Sequence, residues 1–291
     1  PIGCVQNPVT GREREWGVLS PAERAKRVAV VGGGPAGLEA ARVAAARGHT
    51  VTLYERSSEL GGAILIACRA PGWEAYRQSV DWLARQVAKL PIEVNLDTEA
   101  TADLLLAEQF DTIVVATGAR PRRPYLPGVD LPHTATVADV LAGRVSLGRR
   151  CVILDETGYT PGPKCADFLS LAGHQVEIVT RHYSLGEDIG TTVRAVLHER
   201  LLRRGVTITT LTAPIEIRAD GVRVMHVLTG EQREIHADSV IFASGGVAQD
   251  ALYHTLAALP NAPELHLIGD AVAPRHLRHA MVDGARVGRL L

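Results

Sequence analysis

An α/β fold of two similar three-layer units, the second inserted in the first, is predicted by three stretches of this 291-residue chain. Residues 27–38, RVAVVGGGPAGL, read as a short buried strand that turns tightly into a helix. A second strand-turn-helix-strand unit starts at Arg150. The runs Ala116-Thr117-Gly118 and Ala243-Ser244-Gly245-Gly246 repeat one pattern, one in each unit. Both units read as Rossmann-like dinucleotide-binding domains.

Composition agrees. Apolar residues make up 46% of the chain, and 31 basic side chains balance 32 acidic ones, so nothing points to nucleic acid or another polyanionic partner. No window of eighteen apolar residues and no basic leader with a cleavage site is present, which argues against a membrane span or secretory signal and makes a cytoplasmic location the expectation. Cys4, Cys68, Cys151 and Cys165 contain no C-x-x-C pair. A disulfide framework, a self-contained metal site and a redox disulfide beside a flavin are all disfavoured. The chain opens on Pro1 rather than Met and reads as a piece of something longer.

Residues 1–26 form a lead-in without strand or helix period until Ser20, a candidate cap for a short turn begun by Pro21. In the glycine turn, Gly32, Gly34 and Gly37 have G-x-G-x-x-G spacing. Gly32 permits the bend, Gly34 lets a diphosphate approach the backbone, and Gly37 lets helix and strand pack closely. The N–H groups at the helix start, around Pro35 and Ala36, hold phosphate. The helix stops at Gly48, and a strand from Thr50 to Tyr54 ends on Glu55, whose carboxylate can accept both ribose hydroxyls of an adenosine. Next come Arg56 and the pair Gly61-Gly62, which permits a second close approach of backbone to the ligand.

A helix over 74–89 carries Tyr76, Val80, Leu83 and Val87 at helical spacing, and Trp73, Tyr76 and Trp82 read as packing residues. Strands follow at 92–96 and 111–116, the latter running into Thr117-Gly118. Pro121, Pro124 and Pro127 stiffen a crossover. Thus residues 27–130 with 255–291 should form the FAD- or ADP-binding domain, and 131–254 a nucleotide-binding-like domain.

In the second unit the strands are 151–154 and 175–179. Between them, residues 155–164 read DETGYTPGPK: carboxylates stand where the first glycines should be, and two prolines remove N–H donors. Like charges about 4 Å apart repel by roughly 1 kcal/mol in water and about 4 at a semi-buried surface, so pyrophosphate should bind poorly. NAD(P)H binding here is left open, with Arg181 the one residue that could favour a 2′-phosphate.

A helix over 191–204 should bury Val193, Val196, Leu197 and Leu201, with His198 and Glu199 on the surface. Strands follow at 206–211, 215–217, 222–228 and 239–243. The run 265–271 is a strand ending in Gly269-Asp270, and a helix starts near Leu277 with its N-terminal partial positive charge. His276 and His279 have no carboxylate or cysteine beside them to complete a metal site. No nucleophile, base and orienting acid stand together, so no catalytic residue is assigned and hydrolysis is not the chemistry.

Gly3-Cys4-Val5-Gln6-Asn7-Pro8, Gly11-Arg12-Glu13 and the Gly32 turn together resemble the segment that follows the barrel in iron–sulfur flavoproteins of the trimethylamine dehydrogenase and 2,4-dienoyl-CoA reductase group. The likeness runs over essentially the whole chain. It implies a glutathione-reductase-like pair of domains, with Gly62, Thr117, Gly118, Gly269 and Asp270 at the flavin nucleotide. It also implies Cys4 as the fourth thiolate of a [4Fe–4S] cluster whose other ligands lie upstream with an FMN barrel, in the same polypeptide or a separate subunit. Read from residues alone, Cys4 is a buried small side chain, and by itself it holds no cluster. The altered second turn resembles the amine-dehydrogenase branch, which passes electrons to an electron-transfer flavoprotein; the reductase branch takes NADPH at an intact turn. Three classes follow: the electron-transfer half of an enzyme that oxidises an N-methyl amine, an NAD(P)H-driven reductase half, and a docking module with structural ADP.

Overall fold

The computed structural model describes residues 3–291. Pro1, on which the reading of a cut chain rests, lies with Ile2 outside the described residues. Two compact units are present: residues up to Leu65 with Ala75–Arg120 and Val247–Leu291, and Ile66–Glu74 with Pro121–Gly246. The chain therefore changes unit at Arg120 and Gly246, and a short excursion after Leu65 belongs to the second unit.

The first unit holds a parallel sheet in the lateral order Glu264–Leu267, Thr112–Val115, Arg27–Val31, Thr50–Tyr54, Ile92–Asn95. Its central strand is covered on both faces, as an all-parallel sheet requires. Val28 and Val30 face Leu38, Ala41, Val80, Leu83 and Met281. Ala29 and Val31 face Tyr54, Leu105, Phe110 and Leu256. The second layer of helices, Ala102–Ala107 and Ala251–Ala257, is too short and too weakly periodic to read from sequence, although Thr101 caps the first by accepting from Leu104 N.

The glycine-turn helix Pro35–Ala46 packs against the C-terminal helix Leu277–Leu290 through small residues. A Cβ on Gly284 would stand 2.3 Å from the Ala36 carbonyl oxygen, and one on Gly288 would stand 2.7 Å from Val43 Cβ. Backbone cannot yield as a side-chain tip can. Gly284→Ala is therefore expected to cost about 1–3 kcal/mol and lower Tm by several degrees. A thermal melt unchanged within a degree would contradict this packing.

The second unit repeats the parallel order with Thr134–Thr136, Ser239–Ala243, Arg150–Asp155, Gln175–Thr180 and Thr207–Thr209. Helices cover one face, where Ile153, Ile178 and Ile241 meet Leu169, Leu197 and Leu201. On the other face the third layer is an antiparallel sheet, Thr212–Arg218, Gly221–His226 and Gln232–His236, which buries Val222, Val224 and Ile235 against Val152, Val179 and Phe242.

Local differences from the sequence reading have physical causes. The lead-in helix is Glu13–Trp16 and not a turn capped by Ser20; Gly11 N donates to Glu13 Oε1 and fixes its start. In the helix Thr191–Arg203 only Leu197 and Leu201 are buried, while Val193 and Val196 are 58% and 62% exposed. The buried stripe is one i, i+4 pair and not a broad face. His198 is half-buried, its Nε2 2.8 Å from the Leu185 carbonyl, whereas its neighbour Glu199 is exposed.

Candidate dinucleotide-binding site

The site forms at the carboxyl ends of the first unit's central strands. Gly32 N donates to the Tyr54 carbonyl at 2.8 Å, and Gly32 has a φ of +110°. A Cβ there would stand 2.4 Å from the Ala116 carbonyl oxygen, and one on Gly37 would stand 1.9 Å from the Gly32 carbonyl oxygen. Both glycines are thus fixed by backbone against backbone. Gly34, the N-cap, differs: nothing lies within 4 Å of where its Cβ would be. With Pro35 at the first helical position, the Ala36 and Gly37 N–H groups fall in the first turn, where no intrahelical acceptor exists. Gly62, at a φ of +55°, stands against Gly34: its Cβ would be 3.1 Å from Gly34 Cα. Gly118, at a φ of +73°, also faces open space. Gly34 and Gly62 therefore bring bare backbone together at one helix N-terminus, the arrangement that suits a diphosphate, and Gly118 leaves a further stretch of backbone open.

Glu55 is buried at the end of its strand. Its Oε2 accepts from Gly33 N at 2.7 Å and its Oε1 from Ser57 N at 2.8 Å. Each oxygen keeps a further lone pair, so the carboxylate can still accept two ligand hydroxyls. Arg56 beside it is exposed. Across the sheet, Asp270 lies in the single 3₁₀ turn Gly269–Ala271, and its Oδ1 accepts from Arg275 N at 3.0 Å. Burial raises the Asp270 pKa, opposed by that N–H and by the Arg275 charge. Thr117 is placed otherwise than a free ligand contact: its hydroxyl donates to the Gln249 carbonyl, and Gln249 Nε2 returns a bond to Thr117 O at 3.1 Å. The proton of that hydroxyl is committed to the chain, which leaves only its oxygen for a ligand.

Sequence reasoning gave no role to Gly33, Ser57 and Asp283. A Cβ on Gly33 would meet Leu60 at 2.5 Å and Glu55 at 3.1 Å, so the middle residue of the glycine triplet is crowded by side chains where Gly32 is crowded by backbone and Gly34 is open. Gly61 N donates to Gly33 O at 2.8 Å and docks the second glycine pair on the first. The three consecutive glycines were the available signal. Asp283 gave none: it is the single acid of the helix Leu277–Leu290, and nothing in its local spacing names a partner in the preceding loop.

Cys4 stands at a bend, where its sulfur accepts from Gln6 N at 3.4 Å. The Gln6 and Asn7 N–H groups hold its thiol below the usual cysteine range. That polarity suits a thiolate ligand, but no group of three or more His, Cys, Asp or Glu able to hold a metal occurs among the described residues. One thiolate alone does not hold a cluster.

The corresponding turn of the second unit is filled by its own carboxylate. Asp155 ends the strand Arg150–Asp155 and is 2% exposed. Its Oδ1 accepts from Thr157 N and Oγ1 at 3.2 and 2.8 Å. A Cβ on Gly162, in the first turn of the helix Pro161–Leu171, would stand 2.9 Å from the Asp155 carboxyl carbon. The acid therefore lies over the helix start, where a diphosphate would lie, and burial raises its pKa. Pro161 and Pro163 supply no N–H. Glu156 pairs with Arg122 at 2.9 Å, and Arg181 is exposed.

Comparison with known proteins accords with this geometry. A pyridine nucleotide-disulphide oxidoreductase family profile matches residues 26–264. A metal reductase of Desulforamulus reducens is 32% identical over 97% of the chain and 46% of its own length. The N,N-dimethylglycine/sarcosine dehydrogenase of Chromohalobacter salexigens is 31% identical over 98% of the chain and 47% of its own. Among solved structures, a 2-naphthoyl-CoA reductase complex superposes with a TM-score of 0.93 at 33% identity, over 99% of the chain and 43% of that protein. The chain spans about half the length of these relatives. It belongs to the pyridine nucleotide-disulphide oxidoreductase family, within the trimethylamine dehydrogenase and 2,4-dienoyl-CoA reductase group of flavoproteins.

Proposed function

We propose that this chain is the FAD-binding, electron-transferring half of a flavin-dependent oxidoreductase whose whole enzyme oxidises an N-methyl amine. The observation that carries this reading is the contrast between the two turns: bare backbone around the first, an internal carboxylate over the second. A dinucleotide has room at Gly34, Gly62 and Gly118, with Glu55 placed for its ribose. Diphosphate at Asp155 would meet like charge and two prolines. Electrons from substrate would then leave by another route than nicotinamide, in keeping with a sarcosine-oxidising relative. FMN and a [4Fe–4S] cluster would sit in a barrel segment beyond this chain, with Cys4 offering one thiolate, and an electron-transfer flavoprotein would take the electrons. ADP in place of FAD is the variant form of the same reading.

Reductive relatives favour a second reading, a reductase half drawing on NAD(P)H. The first test concerns the ligand. Purified protein is expected to show the two long-wavelength absorption bands of oxidised flavin and to release FAD on denaturation. Colourless protein that releases ADP would replace FAD by ADP; protein that releases no adenine nucleotide would overturn the assignment.

A further inference from the structure

Asp270 is the acid of the site that lies across the central strand from Glu55. Glu55 follows the strand Thr50–Tyr54, and Asp270 follows Glu264–Leu267, with Arg27–Val31 and Thr112–Val115 between them. Three strand spacings separate the two acids, about 14 Å. Adenosine at Glu55 with its diphosphate at the Gly34 turn covers the first of these spacings. Only the second half of a dinucleotide extends past Gly118 towards Asp270.

Buried Ile268 and Ala271 anchor the turn on either side of Asp270, and what holds the segment after it is polar. Residues 272–276 are exposed and bring no buried apolar anchor. Asp283, on the C-terminal helix and 13% exposed, gathers both ends of this segment. Its Oδ2 accepts from Gly269 N at 3.3 Å and from Arg275 Nη2 at 2.5 Å. Arg275 in turn gives its backbone N–H to Asp270 Oδ1 and its Nε to the Ala273 carbonyl at 3.2 Å. The Gly269 turn is pressed against the phosphate-side helix, since a Cβ on Gly269 would stand 2.8 Å from Ala36 Cβ. A loop closed at both ends by one carboxylate cannot shift Asp270 without breaking that carboxylate's bonds.

We propose that Asp283, acting through Arg275, is a positioning residue that holds Asp270 for the flavin half of the cofactor and so gives the site its preference for FAD over ADP. This rests on the FAD reading above. Loss of the clasp frees residues 272–276, and with them the Arg275 N–H that orients the Asp270 carboxylate, while leaving Glu55 and the glycine turn in place, so the two ligands should respond differently. General destabilisation would weaken both alike.

The test uses purified protein freed of nucleotide, with FAD and ADP titrated separately into wild type, Asp283→Ala, Asp283→Asn and Arg275→Ala. Wild type is expected to bind FAD more tightly than ADP. Asp283→Ala and Arg275→Ala should weaken FAD at least tenfold and ADP less than twofold. Asp283→Asn, which keeps an acceptor for Gly269 N and loses the charge for Arg275, should fall between. It also serves where the alanine variant fails to fold. Parallel weakening of both ligands, or no change in either, overturns the clasp while the FAD reading stands. Equal affinity of wild type for FAD and ADP overturns the FAD reading itself, and the clasp with it.

Discussion

Glu55→Ala is expected to weaken adenine nucleotide binding about 100-fold and to lower the stability of the first unit as well. Two ribose hydroxyls donating to a carboxylate contribute roughly 1.5–3 kcal/mol each, and 2.7 kcal/mol is already a factor of 100. The same oxygens are the acceptors of Gly33 N and Ser57 N. Truncation leaves the Gly33 N–H unsatisfied in a buried place, at about 1–3 kcal/mol where water does not enter, while the N–H of exposed Ser57 can turn to water. Glu55→Gln separates the two effects. Its amide oxygen can serve one N–H, but its NH₂ faces the other donor, so binding and stability should both fall part of the way. Calorimetric titration with ADP and thermal melts of the three proteins are the measurements. An alanine variant whose ADP affinity stays within threefold of wild type would remove the ribose contact, whatever happened to its melting temperature.

The Glu55 geometry also shows what kind of information the sequence carried. Gly32, Gly34, Gly37 and Glu55 were legible because their roles are local: a positive φ, a bare backbone, an acid at a strand end. Each leaves a residue type at a fixed offset. The central strands were legible for a related reason, since parallel strands covered on both faces read as continuous apolar runs. Asp283 was not legible, because its partners Gly269 and Arg275 precede its helix and its role depends on how a loop folds back. Val193 and Val196 misled because an apolar residue at helical spacing is buried only where a neighbour covers it. Of the antiparallel third layer of the second unit, the hairpin of 215–217 and 222–228 was legible, and its third strand, Gln232–His236, was not, because one buried residue in five carries almost no period.

The second unit is expected to give no saturable reduction of bound flavin by NADH or NADPH up to millimolar concentration. Its strand order and helix are those of a nucleotide-binding domain, so the exclusion has to come from the turn. Asp155 already occupies the turn, held by two bonds from Thr157 and pressed on Gly162, and where it is ionised it meets an incoming phosphate with like charge. A second anion at about 4 Å would be opposed by roughly 4 kcal/mol at a semi-buried surface, enough to turn a micromolar site into a millimolar one. The sign of the pH dependence follows from burial. A buried carboxyl whose pKa is raised binds its proton at higher pH than in the unfolded chain. As pH falls through that raised value Asp155 becomes neutral, so whatever weak affinity for NADP⁺ exists should increase. The unit should also gain stability over the same fall, because the folded state then binds more protons than the unfolded one. Asp155→Ala removes the internal anion and should tighten NADP⁺ at neutral pH about tenfold or more while abolishing that pH dependence; Pro161 and Pro163 keep it short of a full nucleotide site. Stopped-flow reduction and NADP⁺ titration across pH are the checks. Saturable reduction of the wild type at tens of micromolar NADPH would show that the acid does not guard this turn, and would move the assignment to the reductase reading.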